Sequence, residues 1–264
     1  MRPLYYTIAG AADGEPVLLL HAGSYSGTMW REITNRLPEF RCILPDLPGH
    51  GRSRHENLVS LAQAADCIAE RIVNAHGGRP VNIVGLSFGG YVGLMFIARH
   101  PDLVKRAMLS GIHIGTIPTP RMMNLMAALM SPLIAVPWIH QRMAASMGVT
   151  DPTVVHRSDG TANVSARTFR RVMGLVSDFD VYHLLPEIVV PTLLIAGEKE
   201  HITILRSLHD YQRLMPHCVA RTVPAMGHAW CNQDPDLFAK TLTAWVKGRS
   251  LPEELMNLKP QQLR

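Results

Sequence analysis

The stretch Val81-Asn82-Ile83-Val84-Gly85-Leu86-Ser87-Phe88-Gly89-Gly90, followed by the helical run Tyr91 to Arg99, decides the fold. The largely apolar run Val81 to Val84 reads as a strand covered on both faces. Gly-x-Ser-x-Gly then separates that strand from a helix. In this context the motif reads as a nucleophile elbow, a tight turn that strains Ser87 and lifts its hydroxyl above a sheet. The flanking glycines are needed because a Cβ there would collide with neighbouring backbone. The helix that follows aims its N-terminal N–H groups and positive dipole end at developing negative charge.

Outward from the elbow, short β-rich runs alternate with longer helical patterns. Strands are expected at Leu4 to Ile8, Val17 to Leu20, Cys42 to Leu44, Ala107 to Leu109, Leu193 to Ala196 and Ala220 to Val223. Leu58 to Ala75 places Leu61, Ala65, Ile68 and Ile72 at helical spacing. Asp234-Pro235 opens another helix, with Asp as N-cap and Pro in the first turn. Such alternation implies βαβ units, hence an α/β fold with a mostly parallel central sheet flanked by helices.

The rhythm breaks between residues 112 and 180. No convincing strand falls there, and Pro118, Pro120, Pro132, Pro137 and Pro152 cut the segment into short helices. We expect residues 1–111 and 181–250 to form the core, 112–180 to form an inserted helical cap, and 251–264 to be a polar tail. The cap holds Met122, Met123, Met126, Met130, Met143, Met147 and Met173, half of the chain's 14 methionines. Helix packing accounts for most of them on this reading, and an adaptable lining for an apolar substrate is the alternative.

Composition narrows the function classes. The chain of 264 residues carries 26 Lys+Arg against 21 Asp+Glu, a formal charge of +5, and is 47% hydrophobic, which excludes disorder for its bulk. Basic pairs such as Arg170-Arg171 and Lys105-Arg106 are scattered and aromatics make up only 6%, so nucleic acid is not an expected partner. Cys42, Cys67, Cys218 and Cys231 show no metal-binding spacing; neither a metal nor a disulfide framework is expected. Val17 to Leu20 is too short for a signal core or a membrane span. The cytoplasm is the expected compartment, with no membrane partner.

A serine hydroxyl needs a base to become nucleophilic. Of 13 histidines, His228 has the best context, in Pro224-Ala225-Met226-Gly227-His228 after a strand and ahead of the last helix. Loops at the carboxyl ends of parallel strands converge on one crevice, where Ser87 also sits. Ser, acid, His is the chain order this architecture needs. The loop Gly197-Glu198-Lys199-Glu200-His201 offers two carboxylates. Glu200, further out, is favoured to orient His228; Glu198 is expected to structure the loop or pair with Lys199. Asp178 and Asp180 stand as outside candidates.

Taken in order, His21-Ala22-Gly23, Pro45-Asp46-Leu47-Pro48-Gly49-His50-Gly51-Arg52-Ser53, the elbow, Gly197 to Glu200, and Gly227-His228 resemble the α/β-hydrolase superfamily. The likeness is to its small, capped, esterase-like members, and it spans Leu4 to Lys247. It implies Ser87 as nucleophile, His228 as base and the position of Glu200 as acid. It implies an oxyanion hole from the N–H groups of Gly23 and Phe88, with Ser24 as a further donor. His21 and His50 match positions that support loops near the site. The chain departs from the family at Glu200, where Asp is usual, and at Ala22, where Gly is usual.

The implied reaction is acyl transfer through an acyl-enzyme on Ser87, with no cofactor, on a small to medium, mainly apolar ester or lactone, the apolar preference being what the Met-rich cap suggests. Carbon–carbon bond hydrolysis and perhydrolysis share the same residues, and a slow-turnover ligand receptor is the reading from another class. Arg121, Arg142, Arg157, Arg167, Arg170 and Arg171 of the cap read as solvated helix faces rather than an acidic-substrate site.

Overall fold

A computed structural model describes residues 3–73, 77–116, 119–133, 136–146 and 164–258. In it, eight strands form one sheet in the order β1-β3-β2-β4-β5-β6-β7-β8. They are β1 (Tyr6–Gly10), β2 (Glu15–Leu20), β3 (Phe40–Pro45), β4 (Val81–Leu86), β5 (Val104–Ser110), β6 (Thr192–Gly197), β7 (Cys218–Val223) and β8 (Met256–Asn257). The edge strands β1 and β8 run antiparallel to their neighbours and the rest pair in parallel.

The continuous apolar runs are explained by what covers each face. Val17 and Leu19 of β2 enter one core cluster with Trp30, Trp230, Phe238 and Leu242. Leu18 and Leu20 enter the other with Ile68, Phe96 and Leu208. Successive strand residues point to opposite faces, so a sheet buried on both sides needs apolar residues at every position. The covering helices include α1 (Leu61–Ile68), α2 (Phe88–Arg99), α6 (Ile202–Leu214) and α7 (Pro235–Val246). Ser60 caps α1 by accepting from the Gln63 N–H, and Asp234 caps α7 by accepting from the Leu237 N–H, each a contribution of about 1 kcal/mol.

Between β5 and β6 the described chain contains α3 (Pro120–Met130), α4 (Pro137–Ser146) and α5 (Ala166–Ser177). α3 lies against α5, where Ala127 is buried and the Ser177 hydroxyl donates to Asn124 Oδ1 at 3.3 Å. Helix packing does not account for Met122 and Met126, which are 61% and 52% exposed on the opposite side of α3. Met147 and Arg157 lie outside the described residues.

Part of the segment expected as a polar tail is used structurally. Met256 and Asn257 pair with Thr222 and Arg221, and Leu255 is buried. β7 would otherwise present an open edge of backbone donors and acceptors, and two residues suffice to pair part of it. The four cysteines are free; Cys42, Cys67 and Cys231 are buried, and burial pushes the Cys42 and Cys231 thiols up to about 12.

Candidate active site

Ser87 stands between β4 and α2 with φ +53° and ψ −121°. Among the described residues only Ser87 and Ala225 reach positive φ without being glycine. Holding a non-glycine residue there costs on the order of 1–3 kcal/mol, so the surroundings must impose it. The Ser87 N–H donates to the Ser110 carbonyl of β5 at 2.8 Å, and the Gly90 N–H donates back to the Ser87 carbonyl at 2.7 Å. A Cβ on Gly85 would lie 2.4 Å from the Gly89 carbonyl oxygen, and one on Gly89 would lie 2.1 Å from the Leu20 carbonyl oxygen. Both glycines are therefore required for the elbow to close against β2.

His228 follows β7 on a loop fixed at several points. Ala225, at φ +58°, reverses the chain, and its N–H donates to Glu198 Oε2 at 3.1 Å. The Lys199 N–H donates to the Met226 carbonyl and the Gly227 N–H to Gln233 Oε1, both at 2.8 Å. Glu200 is the carboxylate that reaches the imidazole: its Oε1 lies 2.7 Å from His228 Nδ1, in a pair whose Glu side chain is 5% exposed and whose His side chain is 32% exposed. The other oxygen, Glu200 Oε2, is buried without a hydrogen-bond partner. Asp178 and Asp180 turn elsewhere: Asp178 Oδ1 lies 3.4 Å from Ser177 Oγ, and Asp180 accepts from the Tyr182 N–H.

Gly111 is a site residue that the sequence reading missed. It follows β5 at φ +70°, and a Cβ there would stand 2.8 Å from His228 Cε1 and 3.1 Å from Nδ1. The Cε1 side of the imidazole thus sits close against backbone that only glycine can offer. The available signal was a glycine two residues after the expected strand Ala107 to Leu109. Trp230 fixes the same corner, its indole N–H donating to Ser110 Oγ at 2.9 Å.

Gly23 lies beside the elbow. A Cβ on it would be 2.7 Å from Val172 Cγ1 of α5 and 3.3 Å from Phe88 Cβ. The peptide preceding Gly23 is held through the Ala22 carbonyl, which accepts from the Tyr25 N–H at 3.1 Å and meets His21 Nδ1 at 2.8 Å. In a trans peptide the N–H points opposite to the C=O, so holding the Ala22 carbonyl aims the Gly23 N–H the other way. Phe88 begins α2, where first-turn N–H groups have no partner within the helix. Ser24 follows in the same loop, half-buried. Ala22 itself is buried in the core, so its methyl group is accommodated.

The loop Pro45 to Ser53 braces that backbone. Asp46 accepts from the Gly27 N–H at 2.9 Å and the Arg52 N–H at 2.7 Å, while burial raises its carboxyl pKa. His21 accepts from the Leu47 N–H at Nε2, 2.9 Å away, which leaves Nδ1 to donate to the Ala22 carbonyl. His50 places Nε2 2.8 Å from the Gly23 carbonyl and stacks on Phe88 at 5.6 Å. Both rings are fully buried, and desolvation lowers the pKa of each, for His21 well below its ordinary value. They position loops. Among the described residues no group of three or more His, Cys, Asp or Glu side chains is placed to hold a metal ion.

A model of the alpha/beta hydrolase family matches residues 17–241. A pimeloyl-[acyl-carrier protein] methyl ester esterase of Vibrio atlanticus is 24% identical, over 92% of this chain and 98% of its own. Among solved structures, a marine microorganism esterase is 25% identical at a TM-score of 0.75, covering 92% of this chain and 99% of that one. The enol-lactonase from Burkholderia xenovorans LB400, 18% identical over 92% of this chain and 96% of that one, shares the fold at a TM-score of 0.74. With 225 of 264 residues inside the family match, the chain belongs to the alpha/beta hydrolase family.

Proposed function

We propose that this protein is a serine hydrolase that cleaves carboxylic esters or lactones through an acyl-enzyme on Ser87. The observation that carries the reading is the 2.7 Å contact between Glu200 Oε1 and His228 Nδ1, on the loops after β6 and β7. With Nδ1 engaged by the carboxylate, Nε2 is the nitrogen left to take the Ser87 proton. Glu200 then holds the tautomer and stabilises the imidazolium. The N–H groups of Gly23 and Phe88 would stabilise the oxyanion, a donor of this kind being worth about 2.7–4 kcal/mol in a comparable enzyme. Water activated by His228 completes the cycle. The esterase names of the relatives support the ester class.

We read residues 112–180 as a cap over this crevice and place the protein in the cytoplasm, a reading supported by four unpaired cysteines. The test compares wild type with Ser87→Ala on short and medium p-nitrophenyl esters, followed by lactones. Sustained turnover by wild type and its loss in the variant support the reading. Equal rates refute it, and a small burst that stalls favours a ligand receptor.

A further inference from the structure

Ten large apolar side chains are exposed among the described residues, and five of them fall on two consecutive helices: Met122, Leu125, Met126 and Leu129 of α3 and Trp138 of α4. Residues 122, 125, 126 and 129 follow the i, i+3, i+4, i+7 spacing that builds one stripe along a helix. They are 52–63% exposed, and Trp138 is 66% exposed. The inner side of α3 is already taken, through Asn124 and Ala127, by its packing on α5. α3 is therefore packed on one side and carries an apolar stripe facing water on the other. Monomeric proteins rarely leave such contiguous patches bare without a binding role.

Charge distribution points to the occupant. α3 and α4 carry Arg121 and Arg142 and no Asp or Glu, while Arg167, Arg170 and Arg171 of α5 line a cleft with Glu56. A second copy docking through the same face would bring arginines together with no acid on these helices to neutralise them. An acidic protein would satisfy the arginines, yet the α3 stripe offers no hydrogen-bonding side chain between its four apolar residues. A surface that is apolar within and anionic at its rim satisfies both features, and a Trp ring suits the boundary.

We propose that the outer face of α3, with Trp138 and the arginines of α3 and α4, docks this protein on an anionic lipid surface. The sequence reading expected no membrane partner. No described helix is long and apolar enough to cross a membrane, and the contact proposed is peripheral. It does not depend on the hydrolase reading, because binding and turnover are measured separately.

The full-length protein is tested by co-sedimentation with vesicles of phosphatidylcholine alone and of phosphatidylcholine mixed with phosphatidylglycerol. Trp30, Trp230 and Trp245 are buried, so a change in the water-exposed part of the tryptophan emission reports Trp138. The expected result is binding roughly tenfold or more tighter to the anionic vesicles, weakened by salt, with a blue shift and protection from aqueous quencher. Leu125→Glu with Leu129→Glu should abolish it while the melting temperature and turnover of a water-soluble ester stay at wild-type values. Equal binding by wild type and variant, or no vesicle binding by wild type, overturns the proposal. Self-association removed by the double variant would overturn it in favour of a second copy. Binding to an acidic polypeptide such as polyglutamate but not to vesicles would overturn it in favour of a protein partner.

Discussion

Glu198 Oε2 accepts a hydrogen bond from the Ala225 N–H at 3.1 Å, three residues before the histidine that its neighbour Glu200 contacts. Two carboxylates on one loop are thus divided between bracing the His228 loop and touching the imidazole. Glu200→Gln should lower kcat by roughly 10⁴, the scale set by removing the acid of a comparable triad. Glu198→Gln keeps an acceptor for Ala225 and should cost less than about tenfold. Steady-state kinetics of both variants checks the division; equal losses would contradict it.

Gly111 has the same logic in steric form. Gly111→Ala places a methyl group about where the His228 ring lies, at a φ of +70° that alanine resists. The expected outcome is a fall in kcat of on the order of 10²-fold, the scale of a misplacement near 1 Å, with KM little changed. A melting curve and an ester assay on the same preparation separate displacement of His228 from loss of the fold.

The elbow glycines carry the fold as well as the site. A Cβ on Gly89 would stand 2.1 Å from the Leu20 carbonyl oxygen, in rigid backbone on both sides. Gly89→Ala should destabilise by about 3 kcal/mol or more, as overpacking with nowhere to relax does. Chemical denaturation of the variant gives the value directly.

His21, His50 and His113 are buried, and desolvation depresses the pKa of each. The folded state therefore binds fewer protons than the unfolded chain below the ordinary histidine value of 6.5. Stability is at its full value above that pH and falls as pH drops from there towards the folded-state values. Each group adds a slope approaching about 1.4 kcal/mol per pH unit within that window. Denaturation midpoints between neutral pH and about pH 5 should show the decline, and His21→Gln should make it shallower. A flat profile would contradict the buried-neutral assignment.

The central strands β2, β4 and β6 were legible because burial on both sheet faces leaves apolar runs, as in Leu193 to Ala196. The elbow was legible because its turn requires small residues at fixed offsets. Other features depend on where side chains go after folding. Glu198 and Glu200 share one loop, and only the turn closed by the Glu200 N–H on the Gly197 carbonyl sends them apart. β8 is two residues whose pairing comes from the open edge of β7. The α3 methionines read as core because an apolar helix ordinarily is one, and periodicity does not tell which side lacks a neighbour.

The central claim is that Ser87 is the nucleophile activated by His228 and Glu200. The most direct test is labelling with a fluorophosphonate, followed by intact-mass and peptide-mass analysis. A single adduct on Ser87 is predicted, absent in Ser87→Ala and strongly slowed in His228→Gln and Glu200→Gln. An adduct on another residue, or labelling of Ser87→Ala at the wild-type rate, would contradict the account.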